Sequence, residues 1–189
     1  MITAGVDEAG RGPLAGPVFA AAVILKPKEE IKGLNDSKKI PEKKREAIIE
    51  EIKLHSIAWS IGLSSVLEID SMNILQASLL AMKRAIEGLE VLPELVLVDG
   101  IHPPLVNIST KTIIKGDQSE RSIMAASILA KVSRDNYMRD LDTTYPIYGF
   151  KQHKGYPTKM HLEALNSYGI TKEHRLSFKP VKNIHESNK

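Results

Sequence analysis

Apolar and polar positions along this chain change period several times, and each change marks an element. Residues 2–6 form a short apolar lead that predicts a strand. Residues 18–25 are apolar and partly β-branched without a break, the pattern of a second strand buried on both faces. The Gly- and Pro-rich segment between them points to a hairpin. Residues 26–39 are polar and turn-rich and read as a loop. Pro41 suits a first helical turn. Residues 42–54 then predict a helix with Ile48, Ile49 and Ile52 on one face. Ile57, Trp59, Ile61 and Leu63 alternate with smaller residues, which predicts a third strand. Ser65 and Glu68 stand at capping-box spacing for a short helix. Residues 74–89 predict a longer helix, with Leu75, Leu79, Met82 and Ile86 at helical spacing, ended by Pro93.

The second half continues the alternation. Residues 95–98 predict a buried strand closing on Asp99-Gly100, and residues 111–114 another, closing on Lys115-Gly116-Asp117. Residues 118–141 predict a long helix whose first half is small (Ala125, Ala126, Ser127, Ala130), suited to lying close against a sheet. Residues 145–156 read as an aromatic and basic loop, 158–168 as a last clear helix, and 171–189 as basic and irregular. Met72, Met82 and Met124 are assigned to the core. The succession is that of an α/β fold, and 189 residues predict one domain, or one domain with a C-terminal extension.

Composition narrows the class. Hydrophobic residues make up 42% and charged residues 26%, which suits a globular protein with a full core. The absence of cysteine excludes disulfides and thiolate zinc sites. A net charge of +3 and a pI near 9.0 are compatible with nucleic acid without requiring it. The longest apolar run, 13–25, is short for a membrane span and is broken by Pro13, Gly16 and Pro17. It follows Asp7 and Glu8 rather than a basic segment, so it does not read as a signal peptide. A cytoplasmic protein is expected.

Chemistry enters where the strands stop. Three predicted strands end in acids: Asp7-Glu8, Asp99 and Asp117. Strand ends are where α/β sheets collect their ligands. Four carboxylates converging there repel one another, which resists full ionisation unless divalent cations resolve the conflict. All-oxygen donors without cysteine or a histidine cluster select Mg²⁺ or Mn²⁺, and two such ions about 4 Å apart serve phosphodiester hydrolysis. Each acid also has a plainer reading. Asp7-Glu8 would suit a solvated turn, Asp99 before Gly100 a turn start, and Asp117 with Glu120 a helix N-cap. Gly10-Arg11-Gly12, directly after the first pair, supplies backbone freedom and a fixed positive fork beside a phosphate chain. His153, His161 and His174 fit no closed zinc spacing and read as surface or hydrogen-bonded residues. Asp135 lies inside the 118–141 helix and is assigned to an ion pair with Arg134 or Arg139.

Taken together, the motifs DEAGRGPLAGPV (7–18), NDSK (35–38), LVDG (97–100), KGD (115–117), AASILAKVSRD (125–135), HKGYPT (153–158) and HRLSFKPV (174–181) resemble those of bacterial type 2 ribonuclease H, in order and over nearly the whole chain. One departure is Ile101 after LVDG, where the family often has Asn; the carboxylate stays in place. The resemblance implies a ribonuclease H-like fold, a central mixed five-stranded sheet flanked by helices, with a C-terminal helical extension. It implies that residues 142–189 form a substrate-contacting loop, helix and basic extension. It further implies a metal-dependent endoribonuclease acting on RNA–DNA hybrids and 5′ of single ribonucleotides in duplex DNA, leaving 3′-OH and 5′-phosphate ends. The metal ligands then fall on Asp7, Glu8, Asp99 and Asp117, holding two Mg²⁺ or Mn²⁺ ions. The ribonucleotide sensor falls on Gly10, Arg11, Gly12 and Tyr156. Lys38, Lys154, Arg175 and Lys179 are candidate phosphate contacts, with Lys38 and Arg175 foremost. A monomer without a protein partner is expected. Two other readings stay open: another acid-cluster nuclease or strand-transfer enzyme on the same fold, and a hybrid-binding module without catalysis.

Overall fold

In a computed structural model, which describes residues 1–27, 30–34 and 40–187, the five strands form one mixed sheet. They are β1 (Thr3–Ala9), β2 (Val18–Leu25), β3 (Ser56–Ser64), β4 (Leu95–Asp99) and β5 (Ser109–Ile113), in the order β3-β2-β1-β4-β5. β1 and β2 form the expected antiparallel hairpin, with Asp7 opposite Ala21 and Glu8 opposite Ala20. β2 pairs antiparallel with β3, whereas β1–β4 and β4–β5 are parallel, with Val6 opposite Val98 and Asp99 opposite Ile113.

Both faces of β2 are covered, as its unbroken apolar run requires. Val18, Ala20 and Ala22 join Val6, Val96 and Val98 under α3 (Ile74–Glu87). Ala21 and Val23 face the other way, onto α1 (Glu42–Leu54) and α5 (Arg121–Thr144). The helices lie close. A Cβ at Gly5 of β1 would stand 2.1 Å from the carbonyl carbon of Ser122, and one at Gly62 of β3 would stand 2.2 Å from the Ala81 oxygen. The buried face of α3 is accordingly Ala77, Ser78, Ala81, Met82, Ala85 and Ile86, while Leu75 and Leu79 are only partly covered. The short helix α2 (Val66–Met72) carries the expected capping box between Ser65 and Glu68. Of the methionines assigned to the core, Met82 is buried, and Met72 and Met124 are partly so.

Three expectations need correction. The helix foreseen over 118–141 is two pieces, α4 (Gly116–Ser119) and α5, parted by extended Glu120. Asp117 therefore lies within α4 rather than capping a helix, and Lys115 takes the N-cap position at φ 57°. The 145–156 loop contains a 3-10 turn, Pro146–Tyr148, and the short helix α6 (Phe150–His153). After α7 (Lys159–Tyr168), the segment read as irregular holds α8 (Lys179–Ser187). Val181 and Ile184, one turn apart, tie α8 to a third core with Leu14, Met138, Phe150 and Leu165. Among the described residues, no helix is long and apolar enough to cross a membrane.

Candidate active site

Parallel pairing of β1 and β4 brings the carboxyl ends of those strands side by side, and with them Asp7-Glu8 and Asp99. β5 runs beside β4, and the chain leaving it turns through left-handed Lys115 so that the Asp117 N–H donates to Asp99 Oδ1 at 3.3 Å. The Glu8 N–H donates to Asp7 Oδ1 at 2.7 Å, and Ser127 of α5 hydrogen-bonds the Asp7 side chain. Asp7 and Asp117 are buried; Glu8 and Asp99 are partly open. All four acids line one cleft of about 290 Å³, together with Gly10, Arg11, Gly12, Ser127, Lys131 and Tyr156. A roomier groove of about 440 Å³, beside Trp59 and Leu129, contains none of the four acids.

The electrostatics of this cleft are strained. Burial pushes the Asp7 carboxyl well above the usual range, and the neighbouring Glu8 and Asp99 add to it. Burial raises Glu8 as well; Arg11, with its guanidinium 3.7 Å from the Glu8 carboxylate, pulls the other way, and Asp99 adds to the rise. Among the described residues, no three His, Asp or Glu side chains stand close enough together to hold an ion as they are. The donor chemistry nevertheless fits a hard divalent cation. It is all oxygen, it crowds like charge into a partly dry cleft, and a cation there would favour the ionised form of Asp7 that burial opposes.

Arg175 fixes the Gly10-Arg11-Gly12 segment from behind, and a second buried arginine, Arg134, fixes the residues that follow it. Arg175 donates from Nη2 to the Gly10 carbonyl at 2.7 Å, from Nη1 to Arg11 at 3.1 Å and from Nε to Gly16 at 2.9 Å. Arg134 donates to the carbonyls of Pro17, Ala15 and Lys154 at 3.2, 3.0 and 2.9 Å. Gly10 sits at φ 97°, and a Cβ there would stand 2.0 Å from Arg134 Nε, so a larger residue is excluded. Arg175 is fully buried, which corrects its assignment as a phosphate contact: its donors are spent on the loop it holds. Tyr156 is 41% exposed, and a Cβ at Gly12 would lie 3.6 Å from its ring. The tyrosine and Gly12 therefore face each other across the mouth of the cleft.

Other candidates sort by position. Lys38 lies outside the described residues. Lys154 is buried and held by Glu42 at 3.4 Å and by the Lys151 carbonyl, so it is not presented to a phosphate; Lys179 is exposed. Asp135 is an ion-pair residue as expected, but with Lys131 at 2.7 Å and Arg45 at 3.6 Å instead of Arg134 or Arg139. The three histidines are hydrogen-bonded and buried, not on the surface. Sequence reasoning passed over Ser127 and Lys131. Their signal was a polar stripe, Ser127-Lys131-Asp135 at four-residue spacing, on a helix that is otherwise small and apolar there.

The chain is similar to known proteins over nearly its whole length. The sequence profile of the ribonuclease HII family matches residues 4–181. Ribonuclease HII of Vibrio vulnificus (strain YJ016) is 55% identical over 179 residues, covering 95% of this chain and 86% of that one. Ribonuclease HII of Janthinobacterium sp. (strain Marseille) is 57% identical over 181 residues, 96% of this chain and 86% of that one. Among solved structures, ribonuclease H2 from Pyrococcus horikoshii OT3 superposes with a TM-score of 0.82 at 27% identity, over 99% of this chain and 98% of that one.

Proposed function

The chain belongs to the ribonuclease HII family, a family of metal-dependent endoribonucleases, and from that premise we propose that it hydrolyses the RNA strand of RNA–DNA hybrids and incises 5′ of single ribonucleotides embedded in duplex DNA. The observation that carries this reading is the union of four acids with the Gly10-Arg11-Gly12 and Tyr156 surface in one cleft. Asp7, Glu8, Asp99 and Asp117 are the residues that would hold two divalent ions, Mg²⁺ or Mn²⁺. Such ions, when bound, supply activation of water and neutralise charge on the leaving oxygen of an in-line displacement.

The remaining work belongs to the chain itself. The Gly10–Gly12 backbone, held by Arg175, offers peptide groups to the 2′-OH, which both donates and accepts and is what separates RNA from DNA at a single nucleotide. The Tyr156 ring, exposed beside Gly12, would stack on the neighbouring deoxyribose or base, where a second 2′-OH would crowd. Lys131, held by Asp135 at the edge of the acids, offers positive charge toward the phosphate chain. With no protein nucleophile required, the products are a 3′-OH and a 5′-phosphate.

A duplex DNA with one ribonucleotide, run beside an all-DNA duplex in Mg²⁺, Mn²⁺ or EDTA, tests this. One nick 5′ of the ribonucleotide, lost in EDTA, is expected. Cutting of the all-DNA duplex would keep the metal chemistry and remove the sensor. Tight binding without cutting in any ion would overturn the enzymatic reading.

A further inference from the structure

The segment that presents Tyr156 is strained and unusually well held. Lys154 and Gly155 both take left-handed conformations, at φ 53° and 87°, and three successive residues are each tied by a buried side chain. Arg134 donates to the Lys154 carbonyl at 2.9 Å. The Gly155 N–H donates to His153 Nδ1 at 3.1 Å. His161 Nδ1 lies 2.9 Å from the Tyr156 carbonyl, which also accepts from the Thr158 N–H at 2.8 Å.

These contacts set the tautomers of His161 and His174. A carbonyl only accepts, so His161 donates from Nδ1, and its Nε2 is then a lone pair. His174 Nε2 lies 3.0 Å away and must be the donor, leaving its Nδ1 to accept from the Thr171 N–H at 2.9 Å. The chain of donors therefore runs from Thr171 through His174 and His161 to the backbone of Tyr156. His161 and His174 are 0% and 1% exposed, and burial holds both near or below pH 4 before they protonate, at about 4 and about 3. His153 stacks on His161 at 4.3 Å.

We propose that His161, its tautomer set by His174, is a positioning residue for ribonucleotide selection: its Nδ1–H fixes the Tyr156 peptide and with it the tyrosine ring against Gly12. The inference rests on the reading of Tyr156 as part of the sensor. The metal chemistry of the four acids does not depend on it.

Two substitutions at the one position separate positioning from packing. Asn places an amide where Nδ1 stands, keeping a donor for Tyr156 but leaving the buried His174 N–H without an acceptor. Gln places its amide near Nε2, keeping an acceptor for His174 but removing the donor to Tyr156. The readout is the ratio of kcat/KM on a duplex with one embedded ribonucleotide to kcat/KM on a uniform RNA–DNA hybrid, with Tyr156→Ala as reference and the thermal midpoint measured for each. His161→Gln should lower the ratio about fivefold, in the direction of Tyr156→Ala, with the smaller loss of thermal midpoint. His161→Asn should hold the ratio within about twofold of wild type while losing more stability. A ratio that tracks the thermal midpoint, or one unmoved by His161→Gln when Tyr156→Ala collapses it, overturns the inference. An unmoved ratio in Tyr156→Ala itself would instead overturn the sensor reading, and this inference with it.

Discussion

Asp7 concentrates the site's physics in one residue. It is buried, its carboxyl is raised by burial and then by Glu8 and Asp99, and its partners are a backbone N–H and Ser127. Asp7→Asn keeps the shape and removes a charge on which the proposed metal site depends. Cleavage should fall by on the order of 10³-fold or more, while hybrid binding measured in EDTA stays close to wild type. Cleavage at a normal rate would break the metal-site assignment. Arg175 shows the opposite case, a charge spent inside the fold. Arg175→Lys can serve fewer of the carbonyls of Gly10, Arg11 and Gly16, so unfolding in urea should show a loss of about 1–3 kcal/mol. The slope of log K against log salt for hybrid binding should stay unchanged, because no phosphate contact is removed.

At the scale of elements, the same strand pattern can be buried on either face. β3 alternates large and small residues, yet its large ones face outward: Ile57, Trp59, Ile61 and Leu63 remain 36% to 43% exposed, while Ala58, Gly62 and Ser64 are buried. The reason is the crossing of α3, which comes so close at Gly62 that only small residues fit beneath it. β1 meets α5 in the same way at Gly5. Gly5→Ala would drive a methyl group into the Ser122 backbone, between two elements that cannot part without moving Asp7. The expected cost is about 3 kcal/mol or more, read as a shift in the urea midpoint at unchanged m-value.

Across the whole molecule, the third core joins the C-terminal segments to the hairpin loop, and its histidines make the fold sensitive to acid. His161 and His174 are neutral in the fold down to about 4 and about 3, whereas in the unfolded chain they charge near pH 6.5. Between those limits the unfolded state binds more protons, so stability is complete above pH 6.5 and is lost as the pH falls through that window. Asp7 and Glu8 work in the opposite sense, since their raised carboxyls take up protons in the fold first. In an Asp7→Asn, Glu8→Gln background that opposing contribution is removed, and urea midpoints at pH 7, 6 and 5 should fall in that order as buried His153, His161 and His174 resist charging. A flat series would contradict the neutral, buried assignment of the pair.

Much of this was legible in order of residues alone, where the signal is local. Strand and helix periods, the capping box at Ser65 and the acids at strand ends each depend on neighbours a few positions away. The long motifs, from DEAGRGPLAGPV to HRLSFKPV, carried the family and the four acids with them, and the observed cleft brings those acids together. What the tertiary structure alone decided is which partner lies across the gap. Arg175 reads as a basic surface residue until the fold places it under the carbonyl of Gly10, 165 positions earlier in the chain. His161 and His174 read only as surface or hydrogen-bonded histidines until α7 and the following turn bring their rings together, and the break at Glu120, after the short helix that sets the Asp117 N–H against Asp99, carries no local signal. Periodicity records how a residue faces its own element. Which carbonyl a buried guanidinium or imidazole must satisfy depends on what the rest of the chain packs against it, and that is written only in three dimensions.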